Sequence, residues 1–275
     1  MFLYNPFLQM ALLASCLVSI ASGIIGSFVV IKRISFIAGA ISHSLLGGIG
    51  LCLWLQRSVG ITWLDPLIGA FAGAISSALL LGFVHLHYRQ REDAVIAAIW
   101  STGMSIGVIF LSITPGSMVD LMNFLFGNVL WINPKDLALL SLLDGSILVI
   151  LFLYYRRFLA ICFDEEQAHL RGIPVHRLYM LLLSLIAITV VLLIQVIGTV
   201  LVIALLTIPA TLAGLFTHRL PMMIGGAIAL CALFSFIGLE ASYFLDWPPG
   251  STISLIAALA YFAALPMKKK LLKNH

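Results

Sequence analysis

LYMLLLSLIAITVVLLIQVIGTVLVIALLTIPATLAGLF, residues 178–216, contains no Asp, Glu, Lys or Arg. A bilayer core takes about 20 apolar residues in helical form, so this stretch is long enough for two crossings. Gly198 and its neighbours are all that separates the two runs. The division into 175–197 and 199–217 is therefore the least secure, and a count of eight crossings with one re-entrant segment stays open. The rest of the chain has the same character. Of its 275 residues 62% are hydrophobic and 9% charged, with a mean hydropathy of +1.14. A soluble domain carries about 25% charge; this chain cannot solvate its own surface, and its apolar residues must face lipid. The net charge of +4 does not indicate a nucleic-acid partner, because the Lys and Arg sit in short clusters between apolar runs.

On the same ruler the spans fall at about 7–31, 35–56, 63–87, 93–114, 136–155, 175–197, 199–217, 221–245 and 250–267. The expected fold is all-α, a polytopic transmembrane helical bundle of eight or nine spans forming a single domain over residues 1–275. The first run lacks a basic leader and is too long for a signal-peptide core, so it is read as a retained helix. Orientation follows from Lys and Arg. One set of connections holds Lys32, Arg33, Arg89, Arg91, Arg156, Arg157, Arg171, Arg177, Arg219 and the tail Lys268, Lys269, Lys270 and Lys273; the other holds Arg57 and Lys135. The first set marks the cytoplasmic side, with the N-terminus outside and the C-terminus inside. Trp54, Trp63, Trp131 and Trp247 fall at the expected outer ends and read as interfacial anchors.

Cys16, Cys52, Cys162 and Cys231 show no C-x-x-C spacing and read as small apolar packing residues. Two connections exceed a turn. Residues 115–135 look like an outer interfacial or re-entrant segment. Residues 156–175, RRFLAICFDEEQAHLRGIPV, form the one sizeable cytoplasmic loop. Within it Asp164, Glu165 and Glu166 stand where a short helix would begin, and His169 and Arg171 near its end, which complements the helix dipole. Gly172 supplies the stop and Pro174 restarts the next span. A two-turn helix displayed in water has no core of its own, so either another protein binds it or it is a solvated connector.

The segments FDEEQAHLRGIP, VHRLYMLLLSL and QVIGTVLVIALLTIPATLAGL, with ISHSLLGG at 41–48, REDAVIAAIWS at 91–101, LFGNVLWINPKDL at 125–137 and YFLDWPPGSTISLIAALAYF at 243–262, resemble in order the membrane permease of ABC importers for zinc, manganese or ferrous iron. The resemblance implies a type II ABC-importer-like permease of the bacterial cytoplasmic (inner) membrane. It further implies that Asp164, Glu165, Glu166, Gln167, Ala168, His169, Leu170, Arg171 and Gly172 form a coupling helix that docks on an ATPase. The implied partners are two ATPase copies, a second permease subunit making a homodimer, an extracytoplasmic metal-binding protein and membrane lipid. No cofactor is held permanently; the divalent metal is cargo. The chain has no G-x-x-x-x-G-K-[ST], so a nucleotide site would lie on another polypeptide and the permease itself is not an enzyme.

Ionisable side chains in hydrocarbon cost several kcal/mol and mark function by default. His43, Asp144 and Glu240 qualify. His43 lies about eight residues into the second span, near the midplane at about 1.5 Å per residue, among Gly39, Ala40, Ser42, Ser44, Gly47 and Gly48. Such small neighbours admit a close helix, and a neutral imidazole suits zinc, manganese or iron. A histidine hydrogen-bonded across a tight helix contact is the structural alternative; the family pattern favours the ligand. Many family members read Asp-Ala-x-Ser/Ala-His here, and this chain has Gly39 in place of the Asp. Asp144 and Glu240 could each supply an oxygen ligand, or be met by a hydroxyl and by headgroups respectively. His85 and His87, beside Arg89 and Arg91, read as interfacial. Gly69/Gly73 and Ser22/Gly26 suit close crossings. Pro209 is expected to break or kink its span, where freed carbonyls must meet protein or a water-lined pathway.

A stand-alone secondary transporter is the competing reading. It would show internal repeats and several coupling charges, and no clear inverted repeat is seen. An intramembrane enzyme ranks last, because H-E-x-x-H is missing and a single midplane histidine with scattered carboxylates is thin evidence for catalysis.

Overall fold

The structure, a computed structural model, describes residues 6–61, 63–88, 92–115, 127, 132–217 and 219–271. The helices are α1 (Pro6–Ile31), α2 (Ser35–Trp54, continued by a wider π turn Leu55–Val59), α3 (Pro66–Tyr88), α4 (Glu92–Ile113), α5 (Pro134–Phe163), α6 (Glu165–Leu170), α7 (Val175–Ile197), α8 (Thr199–Phe216), α9 (Leu220–Leu245) and α10 (Pro249–Leu271). Among the described residues nine of these are long and apolar enough to cross a membrane, and there is no strand. The uncertain pair is two helices: Gly198, at φ 78 and ψ 163, breaks the run in a backbone region that only glycine enters freely. The expected outer segment at 115–135, with Trp131, lies almost wholly outside the described residues, as do Arg89, Arg91 and Lys273.

One boundary differs from the sequence expectation. The fifth span does not stop near residue 155; α5 runs on to Phe163. Arg156 and Arg157 do not end it, because arginine is a good helix former and RRFLAICF contains neither Gly nor Pro. Their long stems allow a guanidinium to stay wet on a helix that begins in lipid.

The chain divides into two compact units. The first comprises Met1–Arg33, Met122–Val149 and Leu192–His275. Here α1 lies against α8 and α9, and α10 packs on the same two helices. Backbones approach closely: a Cβ placed on Gly26 would run into the Leu206 carbonyl, and one on Gly23 into the Ile228 main chain. Ala210, Ala213, Met223 and Ala227 form a buried apolar cluster between α8 and α9. Pro209 does not break its span. The α8 helix is continuous through it, and the carbonyl that loses its partner to the proline ring, that of Leu205, accepts a hydrogen bond from Cys231 Sγ of α9 at 3.4 Å. Cys231, fully buried, is thus more than a small apolar filler.

The second unit comprises Ile34–Leu121 and Ile150–Val191. Its centre is α2, packed on α4 and on α3. Both contacts are made by glycines facing glycines. A Cβ on Gly47 would lie 2.9 Å from the Gly103 carbonyl oxygen, one on Gly50 2.7 Å from that of Gly107, and one on Gly48 would collide with the Gly69 carbonyl. These crossings are the close approaches that small residues permit in membranes, where dispersion and not water exclusion holds helices together.

Candidate metal pathway and coupling helix

His43 sits in the middle of α2 and is half-buried. Its imidazole stacks on the indole of Trp100 in α4, with centroids 4.3 Å apart and planes 9° from parallel. The glycine crossing one residue further on creates this meeting. A Cβ on Gly103 would stand 2.5 Å from Ser44 Cα, so only hydrogen at that position lets the two helices come close enough for the rings to overlap. Trp100 is itself anchored, donating from Nε1 to Met104 Sδ at 3.2 Å. Among the described residues no hydrogen bond engages His43; the ring is tied across the helix contact by stacking instead. Stacking fixes the plane of the imidazole and leaves its two nitrogens, which lie on the ring edge, free to ligate.

Trp100 was not singled out from the sequence. The signal was present: Trp54, Trp63 and Trp247 lie at or beyond helix ends, whereas Trp100 is about eight residues inside α4, roughly 12 Å along its axis. An indole at that depth cannot serve as an interfacial anchor. Beside it, Gly39 is buried, yet a Cβ built there meets nothing within 4 Å. Gly39 and His43 are four residues apart and share one face of α2, so the missing family carboxylate leaves open space one turn from the imidazole.

Asp144 lies in α5 within the first unit. It is only 5% exposed, and both carboxylate oxygens lack a hydrogen-bond partner among the described residues. Such a group carries the full desolvation penalty with nothing to offset it. Glu240, in α9 of the same unit, is half-buried. No group of three or more His, Cys, Asp or Glu able to hold a metal ion occurs among the described residues, so the sequence candidates are not gathered into one such set. A cleft of about 940 Å³ opens between α3 and α4 above α2; it is floored by Ser44, Gly48 and Cys52 and includes neither His43 nor Trp100. Its lining is overwhelmingly apolar, which is not metal chemistry.

The α6 helix is built as its sequence requires. Asp164, extended at φ −154 and ψ 108, caps it by accepting from the Gln167 N–H at 2.9 Å. At the other end the Gly172 N–H donates to the His169 carbonyl at 2.9 Å and the Ile173 N–H to the Ala168 carbonyl at 3.1 Å. With Gly172 at φ 74, this is a Schellman stop. Ala168 is buried, while Glu166, Gln167, His169, Leu170 and Arg171 are exposed. Leu170 is 86% exposed and Phe163, just before the helix, 69%. Two large apolar side chains flank a charged, fully capped helix.

The chain and its fold have counterparts among known proteins. The ABC 3 transport family matches residues 4–268. A Chlamydia pneumoniae protein named "Probable metal transport system membrane protein" is 46% identical over 258 residues, 94% of this chain and 88% of that one. The "Manganese transport system membrane protein MntC" of Halalkalibacterium halodurans is 34% identical over 260 residues, 93% of this chain and 87% of that one. Among solved structures, "PsaBC from Streptococcus pneumoniae in complex with Fab" aligns with a TM-score of 0.83 at 29% identity, covering 98% of this chain and 96% of that one. The chain therefore belongs to the ABC 3 transport family, as a multi-pass membrane permease of the metal ABC importer kind.

Proposed function

We propose that this permease carries a divalent transition-metal ion (zinc, manganese or ferrous iron), received from an extracytoplasmic binding protein, into the cytoplasm, driven by two copies of a separate ATPase. The observation that carries the proposal is His43, an unbonded imidazole held in plane by Trp100 at the edge of a glycine-packed crossing. Imidazole is a borderline ligand that exchanges such ions with water and carboxylates. Asp144, buried without a partner, supplies a hard oxygen in the other unit, and Glu240 a second at its half-buried position. The clustering of Lys and Arg supports an external N-terminus and a cytoplasmic C-terminus, which puts α6 in the cytoplasm. There its exposed Leu170 and acidic first turn form the coupling surface for the ATPase. Two copies of this chain complete the pathway.

Reconstitution tests this reading. Vesicles holding the permease, the ATPase and the binding protein should accumulate metal only with ATP. Equal accumulation without the ATPase would establish a secondary transporter instead. Charge reversal at the docking helix, Glu165→Lys with Glu166→Lys, should reduce ATP-driven uptake by about tenfold or more while leaving the permease folded; unchanged uptake would remove α6 from the coupling surface.

A further inference from the structure

A second imidazole cluster lies in the second unit, at the end of α3 and the start of α7. The two helices meet through one stripe of α7, His176, Tyr179, Met180 and Leu183, at the i, i+3, i+4 and i+7 positions that share a helix face. Against it α3 places Gly82, whose absent side chain makes room for Met180 Sδ and Leu183 Cδ1, at 2.6 and 2.8 Å from where a Cβ would sit. One turn on, the His85 ring stacks on Tyr179 at 4.8 Å. These contacts fix the register that brings His87 to His176, with ring centroids 5.6 Å apart and planes at 87°.

The geometry points to a two-histidine site for a divalent metal ion, formed by His87 and His176 at the α6 end of α7, which nothing in the family match assigns. Three observations carry it. First, the rings are near enough to share one metal: with metal–nitrogen distances of about 2.0–2.1 Å and a tetrahedral angle, ring centroids stand about 5.2 Å apart, against 5.6 Å in the edge-to-face pair observed.

Second, His87 is already set up as a ligand. Its Nδ1 lies 3.1 Å from the Phe83 carbonyl oxygen. A carbonyl can only accept, so Nδ1 carries the proton and Nε2 keeps the lone pair. This is the backbone-carbonyl support that metal-binding histidines use to fix tautomer and orientation. The Phe83 ring, stacked on His87 at 4.3 Å and 27°, holds the imidazole from one face.

Third, both histidines are exposed, so an ion can enter from water, and water fills the remaining positions. Purely imidazole ligation favours zinc and ferrous iron over manganese, which prefers carboxylate, carbonyl and water.

The site has a mechanical meaning. His176 follows the Schellman stop of α6 by four residues, so a metal shared with His87 would tie the end of α3 to the segment leaving the coupling helix. The source of the ion rests on the transport reading above: on that reading the site faces the side to which cargo is released. The binding itself does not depend on it.

The test uses the full-length, untagged chain in detergent, with Zn²⁺ alone as probe and Mn²⁺ as comparator. Diethyl pyrocarbonate modification of His176 is read by mass spectrometry. Zn²⁺ should slow it by about tenfold or more in the wild type, and Mn²⁺ at the same concentration should not. In His87→Ala the protection should vanish, and in His87→Gln as well, since glutamine can still bond the Phe83 carbonyl but offers no imidazole. His43→Ala should keep full protection. Undiminished protection of His176 in both His87 variants, or none in the wild type, overturns the site. Failure of metal uptake in the reconstituted vesicles, with zinc protection intact, would overturn the transport reading and leave this site standing.

Discussion

His43 and Asp144 are both ionisable groups on membrane-spanning helices, and the protein treats them in opposite ways. Around His43 the second unit packs closely: Ser44 against Gly103, Gly47 against the Gly103 carbonyl and the Trp100 ring on the imidazole face. Asp144 in the first unit is as well buried as a leucine, yet has neither a donor nor a stacked ring among the described residues. The first arrangement fixes a ligand's position. The second keeps a costly oxygen pair available. The difference teaches that positional order and chemical readiness are supplied by different devices, glycine crossings in one place and an unmet carboxylate in the other.

The sharpest way to break this contrast is at the crossing. Gly103→Leu drives a side chain into Ser44 main chain, which cannot yield as a flexible side chain can. It should destabilise by more than about 3 kcal/mol and remove folded protein from size-exclusion profiles; a stable, monodisperse variant would show that the crossing does not set the position of His43. The Asp144 side inverts the sign. Asp144→Leu replaces an unsatisfied carboxylate by an apolar side chain of similar size, so it should raise thermal stability by about 1–3 kcal/mol while lowering uptake. Loss of stability would mean that the carboxylate is met in the folded protein.

Smaller effects sharpen the comparison. Trp100→Ala removes the stacked face and should cut uptake several-fold, whereas Trp100→Phe keeps an aromatic surface worth about 0.5–1.5 kcal/mol in such pairs and should come close to wild type. Equal loss in both would assign Trp100 to something other than stacking. Smallest in its effect on uptake is Gly39→Asp. The open space at Gly39 has room for the side chain, which carries the desolvation cost of any buried carboxylate and adds an oxygen one turn from His43, seen as tighter metal binding by calorimetry.

The spans were legible because a bilayer demands about 20 apolar residues and the chain supplies them between basic clusters. The ends of α6 were legible for a local reason: an acidic start and a glycine stop act through their own neighbours in sequence. The break at Gly198 stayed open because it rests on the backbone angle of one residue. What could not be read was tertiary. Nothing in the sequence says that Gly48 meets Gly69, that Cys231 answers the carbonyl freed by Pro209, or that Trp100 lies on His43. That His85 meets Tyr179 and His87 meets His176 could not be read either, because those partners lie about 90 residues further along the chain. The end of α5 was misplaced for yet another reason: two arginines look like the end of a span, although a helix can carry them onward into water.

The central claim is that His43 touches the cargo and that its neighbours exist to hold it. The most direct measurement is ATP-driven metal uptake by His43→Ala in vesicles, taken together with copurification of the ATPase. The account requires uptake to fall to the background of vesicles without ATP while the ATPase still copurifies in wild-type amount. Wild-type uptake by that variant would contradict it.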